Sequence, residues 1–93
     1  MIKIVAKNTV KKENKADFIN TAKELIEKSR AEEGCISYTL NESLDGKYLT
    51  FIEEWKDEKY IEMHNNSEHF KSIVPKLSQF KEGDMDVILY KEI

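Results

Sequence analysis

The sequence predicts a single α+β domain in which an antiparallel sheet carries helices on one face. Three observations lead there: β-rich segments at both ends and in the middle of the chain, two helical stretches between them, and an Asp45-Gly46 pair that marks a hairpin. The expected element order is β-α-β-β-α-β.

At the N-terminus Ile2, Ile4 and Ala6 alternate with Lys3, Val5 and Lys7. Both sets have apolar members, as in a strand partly covered on both faces. In "KKENKAD" a helix begins, with Asn14 as the N-cap and Asp17 three residues on. Phe18, Ile19, Ala22, Leu25 and Ile26 follow at helical spacing, and Gly34 is placed to end the helix. "CISYTLNES" and "KYLTFIEEW" read as strands joined by "LDG", whose Asp-Gly pair tolerates the positive φ angles of a tight turn. In the second of them Tyr48, Thr50, Ile52 and Glu54 share one face, and Leu49, Phe51, Glu53 and Trp55 the other.

Beyond Trp55, Asp57 caps a short helix that runs to about residue 64. "HNNS" interrupts it, and Ser67 or Asn66 caps the next helix, with Phe70, Ile73, Val74, Leu77 and Phe80 as its apolar stripe. Pro75 lies within that stripe and is expected to kink or break it, because it lacks an N–H and clashes with the preceding turn. Gly83 closes the segment and "MDVILYKE" is the last strand. This order is the ferredoxin-like arrangement, here one domain over residues 1–93 with its second helix split. The second sheet face also has apolar residues, so a second copy of the chain is expected to cover it. Two sheets meeting face to face make a dimeric α+β barrel.

Composition narrows the function. The chain has 93 residues, 40% apolar and 35% charged, with a net charge of −3. Lys and Arg are scattered rather than striped, so no nucleic-acid partner is expected. No apolar run reaches membrane-spanning length, and "MIKIVAKNTV" is too short and too charged for a signal peptide to be expected. Cys35 is the one cysteine, so no internal disulfide forms, and a reducing, cytoplasmic setting is expected. Glycine-rich phosphate loops, a Cys-x-x-Cys pair and a dinucleotide fingerprint are absent, so no flavin or nicotinamide cofactor is expected.

One stretch, "EEWKDEKYIEMHNNSEHF", holds the only Trp and both His residues. On one continuous helix His64 and His69, five apart, would stand about 140° from each other, whereas helical metal ligands sit three or four apart. The "NNS" break can bring them together, but only Glu54 or Glu68 offers itself as a third ligand, so no metal site is expected. A structural role, capping carbonyls or packing as buried rings, competes with general acid/base work, for which the ordinary imidazole pKa is suited. Glu54 reads either as a partly buried carboxyl with a raised pKa or as a charge paired to a Lys. Trp55 and Tyr38 read first as core, Asn8 as a carbonyl-orienting residue or the start of a loop, and Cys35 as a small buried hydrophobe.

The ordered set Gly34-Cys35, Tyr38, Ser43, Glu54-Trp55, His64 and His69-Phe70 resembles the antibiotic biosynthesis monooxygenase domain family. The resemblance implies a ferredoxin-like protomer in a dimeric barrel, with a pocket between sheet and helices. It also implies one of several activities: cofactor-independent oxygenation of quinols or phenols, isomerisation of a phosphorylated autoinducer sugar, or haem degradation. Against the last, His64 stands where the haem-degrading relatives carry Trp, although Asn8 matches their Asn. The leading expectation is therefore a cofactor-independent monooxygenase with His64 as base. Asn8, Tyr38, Glu54, Trp55, His69 and Phe70 are its expected substrate-binding residues. The alternatives are the sugar-phosphate isomerase, which needs a cation near the cavity, and a non-catalytic ligand-binding dimer.

Overall fold

The computed structural model describes residues 1–93. The strands are β1 (Ile2–Val10), β2 (Cys35–Glu42), β3 (Tyr48–Trp55) and β4 (Lys81–Lys91), and the helices are α1 (Lys15–Arg30), α2 (Glu58–Asn65) and α3 (Glu68–Leu77). The strands form one sheet in the order β2-β3-β1-β4, with every neighbouring pair antiparallel. This is the expected ferredoxin-like topology with a split second helix. No helix is long and apolar enough to cross a membrane.

The period-two pattern of the strands decides which side chains meet the helices. Ile4, Ala6, Asn8 and Val10 of β1 and Leu49, Phe51, Glu53 and Trp55 of β3 are buried. Phe18, Ala22 and Leu25 of α1 and Ile73 and Leu77 of α3 close over them. Lys3, Val5 and Lys7 with Thr50, Ile52 and Glu54 project to the opposite, open face. The helices do not cover β4: Val87 and Leu89 pair with Ala6 and Ile4, on the helical side, yet remain about half exposed.

Several local expectations hold. Gly46 adopts φ 76° in the hairpin, where Ser43 Oγ donates to Asp45 Oδ1 at 2.7 Å and accepts from Tyr48 N at 2.9 Å. Asp57 caps α2 by accepting from Lys59 N and Tyr60 N, and Ser67 caps α3 by accepting from Phe70 N.

Others need correction. Asn14 precedes α1, but its side chain makes no capping bond, because a 3₁₀ turn over Lys12–Asn14 leads directly into the helix. α3 runs unbroken through Pro75 to Leu77. The proline lies in the final turn, and the carbonyl left without its partner belongs to the exposed Lys71, where water can solvate it. Gly83 does not precede the last strand but lies inside β4, at φ 67°. There the β1–β4 register slips between Lys7 and Thr9, the irregularity that a positive-φ glycine permits.

Gly34 does not end α1 through a left-handed conformation either; the helix stops at Arg30. The Tyr60 ring of α2 lies directly on Gly34, and a Cβ there would overlap the base of that side chain. Its carbonyl also accepts from Lys56 N at 2.9 Å, tying the α1–β2 turn to the end of β3. Gly34→Ala should therefore destabilise the fold by about 1–3 kcal/mol in urea unfolding. Tyr60→Ala in the same chain should recover part of that loss in a double-mutant cycle.

Candidate functional site

The site is built where the split between α2 and α3 meets the sheet. His64 occupies the last turn of α2 and His69 the first turn of α3. The break over Asn66 and Ser67 turns the chain so that the two rings lie 6.0 Å apart, closer than a five-residue spacing on one helix would suggest. Ser67 holds the turn: its Oγ donates to His64 O at 2.7 Å.

Both imidazoles converge on one carboxylate oxygen. Glu32, in the turn after α1, presents Oε2 at 2.6 Å from His64 Nδ1 and 2.9 Å from His69 Nε2. As hydrogen bonds these place a proton on each of those nitrogens, since an ionised carboxylate only accepts. His64 is then the tautomer whose Nε2 carries the lone pair. That atom is buried and has no hydrogen-bond partner. Trp55 packs against the ring at 4.6 Å between centroids, Phe70 at 5.1 Å and Tyr38 at 5.5 Å. Burial lowers the His64 pKa below the ordinary imidazole value, with Glu32 opposing it, which favours the uncharged ring.

His64 also lines a cavity of about 380 Å³ between β1, β4 and the two short helices. Ile4 and Ala6 form its floor, Ile61 and Phe70 its helical wall, and Met85, Val87 and Leu89 its β4 side; Asn65 completes the rim. The one carboxyl lining it is Glu53, and no Lys or Arg does. A larger surface depression of about 760 Å³ lies at the sheet end near Met1 and Lys56. It is shallow and contains no histidine or buried titratable group, so the smaller cavity is the chemically equipped one.

Glu53 is 5% exposed, and its Oε1 accepts from Trp55 Nε1 at 2.9 Å. Desolvation pushes its pKa up to about 7, against the lowering effect of the Trp55 bond. The cavity thus has a neutral imidazole and a carboxyl that exchanges its proton near neutrality, the pairing used in general acid/base chemistry.

Of the residues expected from sequence, only His64 and Phe70 line this cavity. Trp55 and Tyr38 support the His64 ring from the core, and burial raises the Tyr38 hydroxyl pKa far above its ordinary value. His69 reaches the site only through Glu32. Asn8 is fully buried, with its Nδ2 donating to Leu49 O at 3.2 Å and its Oδ1 unpartnered; it does not line the cavity. Glu54 is displaced to the open face, where it lies 3.7 Å from Lys3 Nζ. This is the Lys-paired alternative, because residues 53 and 54 of a strand necessarily point to opposite sides. The two carboxyls that matter, Glu53 and Glu32, were not anticipated. A carboxylate alternating with Leu49, Phe51 and Trp55 was the available signal for Glu53; Glu32, 32 residues from His64, had none.

The Glu53 shift has a measurable consequence. Its folded-state pKa lies above the unfolded value of 4.5, so its contribution is full below about pH 4.5 and lost as pH rises through about 7. Glu53→Gln, which cannot ionise, should flatten the decline of stability across that window. Its gain over the wild type above about pH 8 should be on the order of 3 kcal/mol, read from urea unfolding at several pH values.

Comparisons with known proteins agree with this architecture. Residues 1–76 match the antibiotic biosynthesis monooxygenase family. The chain is 38% identical to "Putative monooxygenase YcnE" of Bacillus subtilis, over 95% of its own length and 94% of the relative's. Among solved structures, a conserved protein from Methanosarcina mazei Go1 superposes with a TM-score of 0.96 at 42% identity, covering 99% of this chain and 92% of that one. The structure of an antibiotic biosynthesis monooxygenase superposes with a TM-score of 0.93 at 31% identity, covering 100% and 99%. With the fold and nearly the whole length shared, this chain belongs to the antibiotic biosynthesis monooxygenase family.

Proposed function

We propose that the protein is a cofactor-independent monooxygenase that oxidises a small quinol or phenol with dioxygen. The observation that carries this reading is the buried, unpartnered Nε2 of neutral His64 lining an apolar cavity. Seven of the ten lining residues are apolar, which suits a planar aromatic substrate. Nε2 takes the phenolic proton, Glu32 holds the resulting imidazolium, and the electron-rich anion reacts with dioxygen. For a hydroquinone the balance is quinol plus O₂ giving hydroxyquinone plus water. A ring C–O bond forms, the ring C–H proton leaves, and the O–O bond breaks with its second oxygen departing as water. The quinol supplies all four electrons. Glu53, which lines the same cavity and is protonated part of the time, is in this reading the donor to the departing oxygen.

The same cavity weighs against the alternatives. A sugar-phosphate isomerase needs a cation for the phosphate, and none lines the cavity; a passive binding site needs no converging titratable groups, and two are present. We further propose that the protein works as a homodimer in the cytoplasm. Val5, Ile52 and Ile88 form an apolar line across the open sheet face, suited to a second copy, and the free Cys35 thiol fits a reducing compartment.

Oxygen uptake with a panel of reduced quinols and anthrone-like phenols tests the reading. The wild type should exceed the uncatalysed rate, and His64→Ala should lose about 10²–10⁴-fold of that excess. Absence of uptake with every substrate would refute the oxygenase. Light scattering should give about twice 10.9 kDa, and a monomer would refute the barrel.

A further inference from the structure

The Glu32–His64–His69 cluster does more than orient a base. Its three ligand atoms lie within 4.8 Å of one another, and two imidazole nitrogens aim at one carboxylate oxygen. A zinc-class ion bound by two imidazoles and a carboxylate has metal–ligand bonds of about 2.0–2.2 Å. Tetrahedral or octahedral angles then separate neighbouring ligand atoms by roughly 3.0–3.4 Å. The observed N–O separations of 2.6 and 2.9 Å need to widen by less than about 1 Å, and the two imidazole nitrogens, within 4.8 Å of each other, need to close by at most about 2 Å, to admit the ion.

The parts that must move are those free to do so. His64 is wedged in the core with its side chain 2% exposed, whereas those of Glu32 and His69 are 18% and 15% exposed. Glu32 sits in a turn rather than a helix or strand. Its exposure also supplies the route by which an ion enters and an outer coordination position for water.

We propose that Glu32, His64 and His69 form a binding site for a zinc-class divalent transition ion, and that its occupation turns the pocket base off. The ion takes the lone pairs of His64 Nδ1 and His69 Nε2, so each imidazole proton moves to the other nitrogen of its ring, Nε2 in His64 and Nδ1 in His69. The unpartnered Nε2 changes from acceptor to donor, and His64 no longer accepts a substrate proton. The binding site stands independently of the oxygenase reading; only the inhibitory consequence rests on it.

The test titrates the metal-free full chain with ZnCl₂ and with CoCl₂ by calorimetry at neutral pH. One ion per chain is expected, with visible Co²⁺ absorption bands. Glu32→Gln and His69→Gln should each weaken binding by about tenfold or more. Both replacements keep a polar side chain, and circular dichroism checks that the variants fold. Nitrogen-15 NMR of labelled histidines should find the His64 proton on Nδ1 without zinc and on Nε2 with it. No binding, binding equal in the wild type and both variants, or an unchanged His64 tautomer would each overturn the proposal. These readouts need no substrate, so they remain decisive if no quinol proves to be oxidised. If one is, equimolar zinc should suppress uptake in the wild type.

Discussion

The structure of the site depends on one oxygen, Oε2 of Glu32, which receives His64 Nδ1 and His69 Nε2 together. Those contacts join the turn after α1 to the end of α2 and the start of α3, three segments that the backbone alone would leave loosely related. They also decide the chemistry of the His64 ring. An imidazole that donates from Nδ1 to a carboxylate keeps its lone pair on Nε2, here buried and unpartnered in a ring packed among Trp55, Tyr38 and Phe70. Gly34 contributes indirectly. By admitting Tyr60 against the backbone, it lets α2 settle close to the turn that bears Glu32.

Burial sets the second constraint. Glu53 and His64 are both removed from water, and desolvation drives both toward the uncharged form: the carboxyl pKa rises and the imidazole pKa falls. The cost of burying either as an ion is avoided, and two proton-exchanging groups share one apolar cavity. No Lys or Arg lines the pocket, so it offers no fixed cation to a phosphorylated ligand. The same oxygen of Glu32 accepts from both imidazoles, so the proposed proton transfer and the proposed metal binding would draw on one cluster.

The sheet separates two tasks by parity. Odd positions of β3 face the helices and supply Glu53 and Trp55; even positions face outward and supply Ile52 and Glu54. β4 escapes helical cover, so Val87 and Leu89 close the cavity on one side while Ile88 and Tyr90 extend the open face. The proposed dimer surface and the pocket therefore lie on opposite sides of the same strands.

The sequence by itself determined the order of elements, the hairpin at Asp45-Gly46, the cap at Asp57 and the alternation that sorts β3 into two faces, because each rests on chemistry within a few residues. It also named His64 and Phe70, which line the cavity, and the ordered motif around them pointed to the family. Tertiary structure alone decided that Glu32 meets both histidines and that Glu53 rather than Glu54 enters the cavity wall. It also withdrew Asn8 into the core and placed Gly83 inside β4. The first is a contact across 32 residues of sequence with no local signature; the second turns on which strand face the helices cover. Periodicity reports that a side chain shares a face with its neighbours, but only packing determines which face closes over a cavity and what lies across it.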